Sequence, residues 1–134
     1  VQEHEAKIKG TWYLDSGCSR HMTGDISLFN SIKWEEKGYV KFGDNNRGKI
    51  IAIGTIGMPL FFIENVYLVK GLKHNLLSIS QLCDKGYEMV FEQDKCYAFN
   101  NDGAKLFEGI RKRNIYLIKP DEVDNTCCLL SMND

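Results

Sequence analysis

Short runs of β-branched and aromatic residues, each closed off by Gly, Asn or Asp, recur along this chain and restrict it to strands joined by tight turns. TWYLD (11–15), YVKFG (39–43), KIIAIG (49–54), LFFIENVYLV (60–69), YEMVF (87–91), KCYAF (95–99), AKLFE (104–108) and IYLIK (115–119) are all strand-sized. DNNRG (44–48) and NDG (101–103) supply turn residues that tolerate a left-handed backbone. Two stretches depart from the pattern. Leu76, Leu77, Ile79, Leu82 and Cys83 recur at helical spacings ahead of Gly86, which predicts a helix from 76 to 82. ISLFNSIKW (26–34) predicts a short amphipathic turn or helix. The expected fold is mostly β with one short helix, its sheet closed or strongly curved so that its edges are protected.

At 134 residues the chain has room for one domain, and 43% hydrophobic with 26% charged residues is too apolar for disorder. Seventeen Lys and Arg stand against eighteen Asp and Glu. That balance gives no global positive field, so no nucleic-acid partner is expected for the domain. No apolar run approaches the length of a membrane span, and none reads as a signal peptide, so no membrane partner is expected either. Five cysteines, an odd number with Cys127 and Cys128 adjacent, do not make a disulfide framework and fit a reducing, cytoplasmic compartment. The ends of the sequence suit a piece of something longer.

The sharpest chemical signal is Tyr13-Leu14-Asp15-Ser16-Gly17, two apolar residues and then Asp-Ser-Gly. A strand would deliver the Asp15 carboxylate to a tight loop, where Gly17 lets backbone N–H groups approach it. Asp-Ser-Gly alone is also a common turn sequence, so the wider context matters. WYLDSGCSRHMTGD, from Trp12, resembles the active-site segment of copia-type retrotransposon proteases. GLKHNLLSISQLCDKGYEMVFEQDKCYAF, from Gly71, resembles the segment that follows it in those polyproteins. KLFEGIRKRNIYLIK (105–119) resembles the linker before the integrase head.

The resemblance implies a retropepsin-like aspartic protease that self-processes a Gag-Pol polyprotein. It implies a homodimer in which Asp15 from each chain activates a water, with Ser16 and Gly17 supporting the active-site loop. The second turn and helix behind that loop fall on Asn75, Leu76, Leu77 and Ser78, with Ser78 where a glycine is usual. A flap over an extended polyprotein peptide falls on the hairpin containing Gly43, Asp44, Asn45, Asn46 and Gly48, or on the bend from Gly54 to Gly57. The implied location is the cytoplasm, within virus-like particles, and no cofactor or metal is implied. The implied division is a polar lead-in over 1–10, a protease core over 11–100, linker-like strands over 101–119 and an acidic flexible tail over 120–134. The rival reading is a noncatalytic, dimerising, peptide-binding domain on a protease-like fold.

Other residues carry weaker alternatives. Cys18 and His21 could form a thiol–imidazole pair, or join Asp25 and His74 around a metal, but the spacing does not fix either geometry. Arg111, Lys112 and Arg113 beside Tyr116 suit a solvated edge better than a nucleic-acid contact. Trp12, Trp34, Phe61, Phe62, Cys83 and Cys96 are expected in the core. His4 is expected at the surface, and His74 near the second turn.

Overall fold

The computed structural model describes residues 10–41, 46–58 and 61–119. Eleven strands and one short helix account for most of them. In chain order the strands are β1 (Trp12–Asp15), β2 (Met22–Thr23), β3 (Ser31–Trp34), β4 (Tyr39–Lys41), β5 (Arg47–Gly57) and β6 (Phe62–Val69). β7 (Asn75–Ser78) then runs directly into helix α1 (Ile79–Asp84), followed by β8 (Glu88–Phe91), β9 (Lys95–Phe99), β10 (Lys105–Lys112) and β11 (Ile115–Ile118).

The strands pair in the order β3-β5-β6-β2-β7-β1-β11-β10-β9-β8, with β4 pairing β5 beside β3. β3 and β8 stand at opposite ends of this path, and no pairing joins them. The expected closed, retropepsin-like sheet is therefore not what forms. The mostly β content and the single short helix stand, but the sheet is open. Closure needs the first and last strands to share a hydrogen-bonded register. Here Val90 and Phe91 of β8 and Trp34 of β3 remain exposed at the two ends.

Buried and more exposed residues alternate in the longest strand. In β5 the buried positions Gly48, Ile50 and Ala52 alternate with more exposed neighbours, which is the period of a sheet with one face on a core. The larger core gathers Trp12, Leu14, Ile56, Ile63, Val66, Leu77, Leu82, Cys96, Ala98, Leu106, Phe107 and Ile118. A smaller one gathers Met22, Ile50 and Val69, with Cys18, Val40, Tyr67, Leu72 and Leu76 packed against it.

The expected helix over 76–82 is shorter and shifted. Residues 75–78 are instead extended and pair in parallel with β1, in the register Trp12↔Asn75, Tyr13↔Leu76, Leu14↔Leu77 and Asp15↔Ser78. The helix begins at Ile79, capped by the Ser78 side chain accepting the Gln81 N–H. It ends before Gly86, whose φ of 94° suits glycine. Within 26–34 only Ile26–Leu28 coils, as a single 3-10 turn, and Ser31–Trp34 pairs with β5.

Three core expectations also change. Trp34 and Phe62 are each 61% exposed, and Cys83 is exposed, whereas Trp12 and Cys96 are buried and Phe61 packs against the larger core. Trp34 lies on the end strand and Phe62 at the start of β6, where no described layer covers them. The expectations for residues 1–9, including His4, and for 120–134, including Cys127 and Cys128, lie outside the described residues.

Candidate functional site

β1 delivers Asp15 to the start of a loop, and its Oδ1 accepts the Gly17 N–H at 2.7 Å. The carboxylate thus closes its own turn. Gly17 is suited to this place because a Cβ there would crowd the same oxygen. Ser16 is exposed.

Behind the loop, His21 ties three elements together. It is 2% exposed, and its Nδ1 accepts the Ser78 N–H at 2.9 Å. Its own N–H donates to Gln81 Oε1, and its carbonyl accepts the Tyr67 N–H. Ser78 Oγ donates to the Cys18 carbonyl at 2.7 Å, and Gln81 Nε2 donates to the Glu64 and Asn65 carbonyls. Ser78, standing where the resemblance has a glycine, is therefore a stitch between the end of β7 and the first loop. Asn75 adds another, since Thr23 Oγ1 donates to Asn75 Oδ1 and Asn75 Nδ2 donates to the Thr11 carbonyl.

This arrangement rules out the thiol–imidazole pair. Burial, and then the nearby Asp15 charge, pushes the Cys18 thiol up to about 11. Burial, and then the Arg20 charge, holds His21 down to about 4. Both groups are neutral at pH 7, and Cys18 Sγ points to the Asp15 carbonyl at 3.7 Å, while His21 Nδ1 is committed to Ser78. A thiolate–imidazolium pair needs the opposite shifts. No group of three or more His, Cys, Asp or Glu among the described residues is placed to hold a metal ion. His74 makes an edge contact with the Tyr13 ring, 5.0 Å between ring centroids.

In front of the loop lies an open cleft of about 750 Å³, lined by Asp15, Gly17 and Cys18 and by Lys70–His74 and Leu76. Lys41, Asn46 and Arg47 from β4 and the start of β5 complete the wall. Met22 is buried at its floor, with Leu72, Leu76 and Cys18 half-buried around it. The cleft thus sits on the smaller core. Gly24 sets one wall, because a Cβ at this position would run into the backbone carbonyl of Leu72. We expect Gly24→Ala to cost about 1–3 kcal/mol in denaturant unfolding, as overpacking against a backbone group that cannot rotate away.

Among the described residues the cleft is lined by four cations, Lys41, Arg47, Lys70 and Lys73, and by one carboxylate, Asp15. None of the four makes an ion pair with a described carboxylate. In a chain with formal charge −1 this is a marked segregation. Sequence reasoning missed it because the four come from two separated segments, the β4–β5 hairpin and the connection from β6 to β7. The basic run it did single out is elsewhere: Arg111 donates to the Arg113 and Gln93 carbonyls, and Tyr116 to the Glu92 carbonyl. Of the expected flap, Asn46 borders the cleft and Gly48 is buried in β5, while Gly43, Asp44 and Asn45 lie outside the described residues. Gly54 and Gly57 lie within β5, paired with β6, and form no free bend.

The family model described as "Pol polyprotein, beta-barrel domain" matches residues 12–87. A tobacco (Nicotiana tabacum) protein, "Retrovirus-related Pol polyprotein from transposon TNT 1-94", is 26% identical over 118 residues. That match covers 84% of this chain, and the chain spans 9% of the length of that relative. No solved structure matches significantly. The resemblance to copia-type Pol polyproteins therefore stands, but the protease assignment does not. The matching family is described as a barrel domain of Pol, and the strand path is open. Asp15 closes its own loop as the one described carboxylate in a basic cleft. The reading as an aspartic endopeptidase, a hydrolase working through an Asp15 dyad, is overturned.

Proposed function

This chain belongs to the Pol polyprotein beta-barrel domain family, and from that premise we propose that it is a noncatalytic module of a retrotransposon polyprotein that binds an extended peptide segment. The observation that carries this reading is the cleft beside β4, a short strand paired on one side only, over an apolar floor. An extended peptide finds there both backbone groups to pair with and a floor for alternate side chains. The role of Asp15 in this reading is to shape the loop through Gly17.

The same reading has two copies associate through the free edge of β8, where Val90 and Phe91 are exposed. It places the module in the cytoplasm, within virus-like particles. No helix among the described residues is long and apolar enough to cross a membrane.

The test is hydrogen exchange with and without an extended peptide taken from a retrotransposon Gag-Pol polyprotein. Slowed exchange confined to β4 and to residues 70–76 is the expected result. Asp15→Asn should change the affinity by no more than about two-fold, because an exposed polar contact contributes little. Uniform protection, or none, would count against the cleft.

A further inference from the structure

The rim and the floor of the cleft ask for different chemistry. Met22, Leu72 and Leu76 offer an aliphatic floor, while among the described lining residues Lys41, Arg47, Lys70 and Lys73 outnumber the one carboxylate, Asp15. Lys41 and Arg47 face each other across the β4–β5 ladder, and the Arg47 guanidinium lies over the Tyr39 ring at 4.8 Å. Arg47 is thereby partly positioned before any ligand arrives. Lys70 and Lys73 also line the cleft, on either side of Gly71 and Leu72 in the chain.

An extended strand sends successive side chains to opposite sides. Lying along this cleft, it would set every second side chain on the floor and turn the others toward the cations at its rim. We propose that the segment this cleft binds is an acidic peptide in which apolar residues alternate with Asp or Glu; this rests on the peptide-binding reading above. A single-stranded nucleic acid would meet the same cations, but such sites stack bases on aromatic side chains. No Phe, Tyr or Trp is among the described residues lining the cleft. The aliphatic floor suits Leu, Ile or Val.

The test uses three probes of matched length, followed by fluorescence anisotropy: a synthetic peptide alternating Leu or Ile with Glu or Asp, the same peptide with Gln and Asn in place of the acids, and an oligo-dT strand. The proteins are wild type and the variant Lys41→Gln, Arg47→Gln, Lys70→Gln, Lys73→Gln. All four positions are exposed, and unfolding curves of the two proteins check that the variant folds. The acidic peptide should bind about 10- to 100-fold more tightly than its neutral counterpart, as four modest ion pairs allow, and the variant should erase that difference. Added salt should erase it too. If both peptides bind wild type equally, the acidic preference is wrong while peptide binding survives. If neither binds, the peptide-binding reading itself fails. Tighter binding of oligo-dT than of the acidic peptide, lost in the same variant, would overturn the proposal in favour of nucleic acid. The comparison of the two peptides on wild type decides the matter even if the variant does not fold.

Discussion

His21→Leu should destabilise the domain by about 2–4 kcal/mol, measured by denaturant unfolding at neutral pH. Leucine fills the space but removes the acceptor for the Ser78 N–H, which is then buried without a partner. An unsatisfied buried donor costs about 1–3 kcal/mol, and the misfit of the new side chain adds to it. Ser78 caps α1, pairs in register with Asp15 and binds the Cys18 carbonyl, so the loss reaches the loop that walls the cleft. His21→Asn is the informative control. Its side-chain oxygen can take the same N–H, so it should lose distinctly less than leucine. Equal losses would mean that volume, not the hydrogen bond, is what His21 contributes.

Acid should unfold the protein through the same residue. In the unfolded chain a histidine titrates near 6.5, while burial and the Arg20 charge hold folded His21 at about 4. Between those values the unfolded state binds a proton that the folded state does not, so stability rises with pH. The contribution is whole above about pH 6.5 and is lost progressively as pH falls toward 4, about 3 kcal/mol across the full window. Unfolding free energies at pH 7.5, 6, 5 and 4 should therefore show a steeper fall for wild type than for His21→Asn. The difference between the two curves isolates this group from the other histidines and from the carboxylates. Parallel curves would show that His21 is not held neutral by the fold.

These effects could not have been set down from the sequence, although much of the frame could. KCYAF and IYLIK became β9 and β11 because β-branched and aromatic residues suit a pleated surface, and in β9 buried residues alternate with more open ones. Local pattern misled where tertiary pairing decided. Leu76 and Leu77 fit a helical period, yet β1 offers them a parallel ladder, and extended residues there bury Leu77 completely. Closure of the sheet depends on whether its first and last strands meet, which no local run encodes. Trp34 and Phe62 were expected inside on hydrophobicity alone, but burial depends on a covering layer.

The site was legible in part for the same reason. Asp15 and residues 75–78 lie side by side because β1 and β7 pair in register. What the resemblance could not convey was the setting. The loop opens onto a cleft whose cations come from β4, β5 and the Lys70–Lys73 turn, so its charge appears only once those segments converge. His21 was placed in the loop by sequence, but its bond to Ser78 spans two distant segments.

The central claim, that the cleft holds a peptide without cutting it, is tested most directly by incubating the protein with a saturating polyprotein peptide and weighing the peptide by mass spectrometry. Wild type and Asp15→Asn should both bind it and both return it intact. Fragments released by wild type and absent with Asp15→Asn would contradict the account.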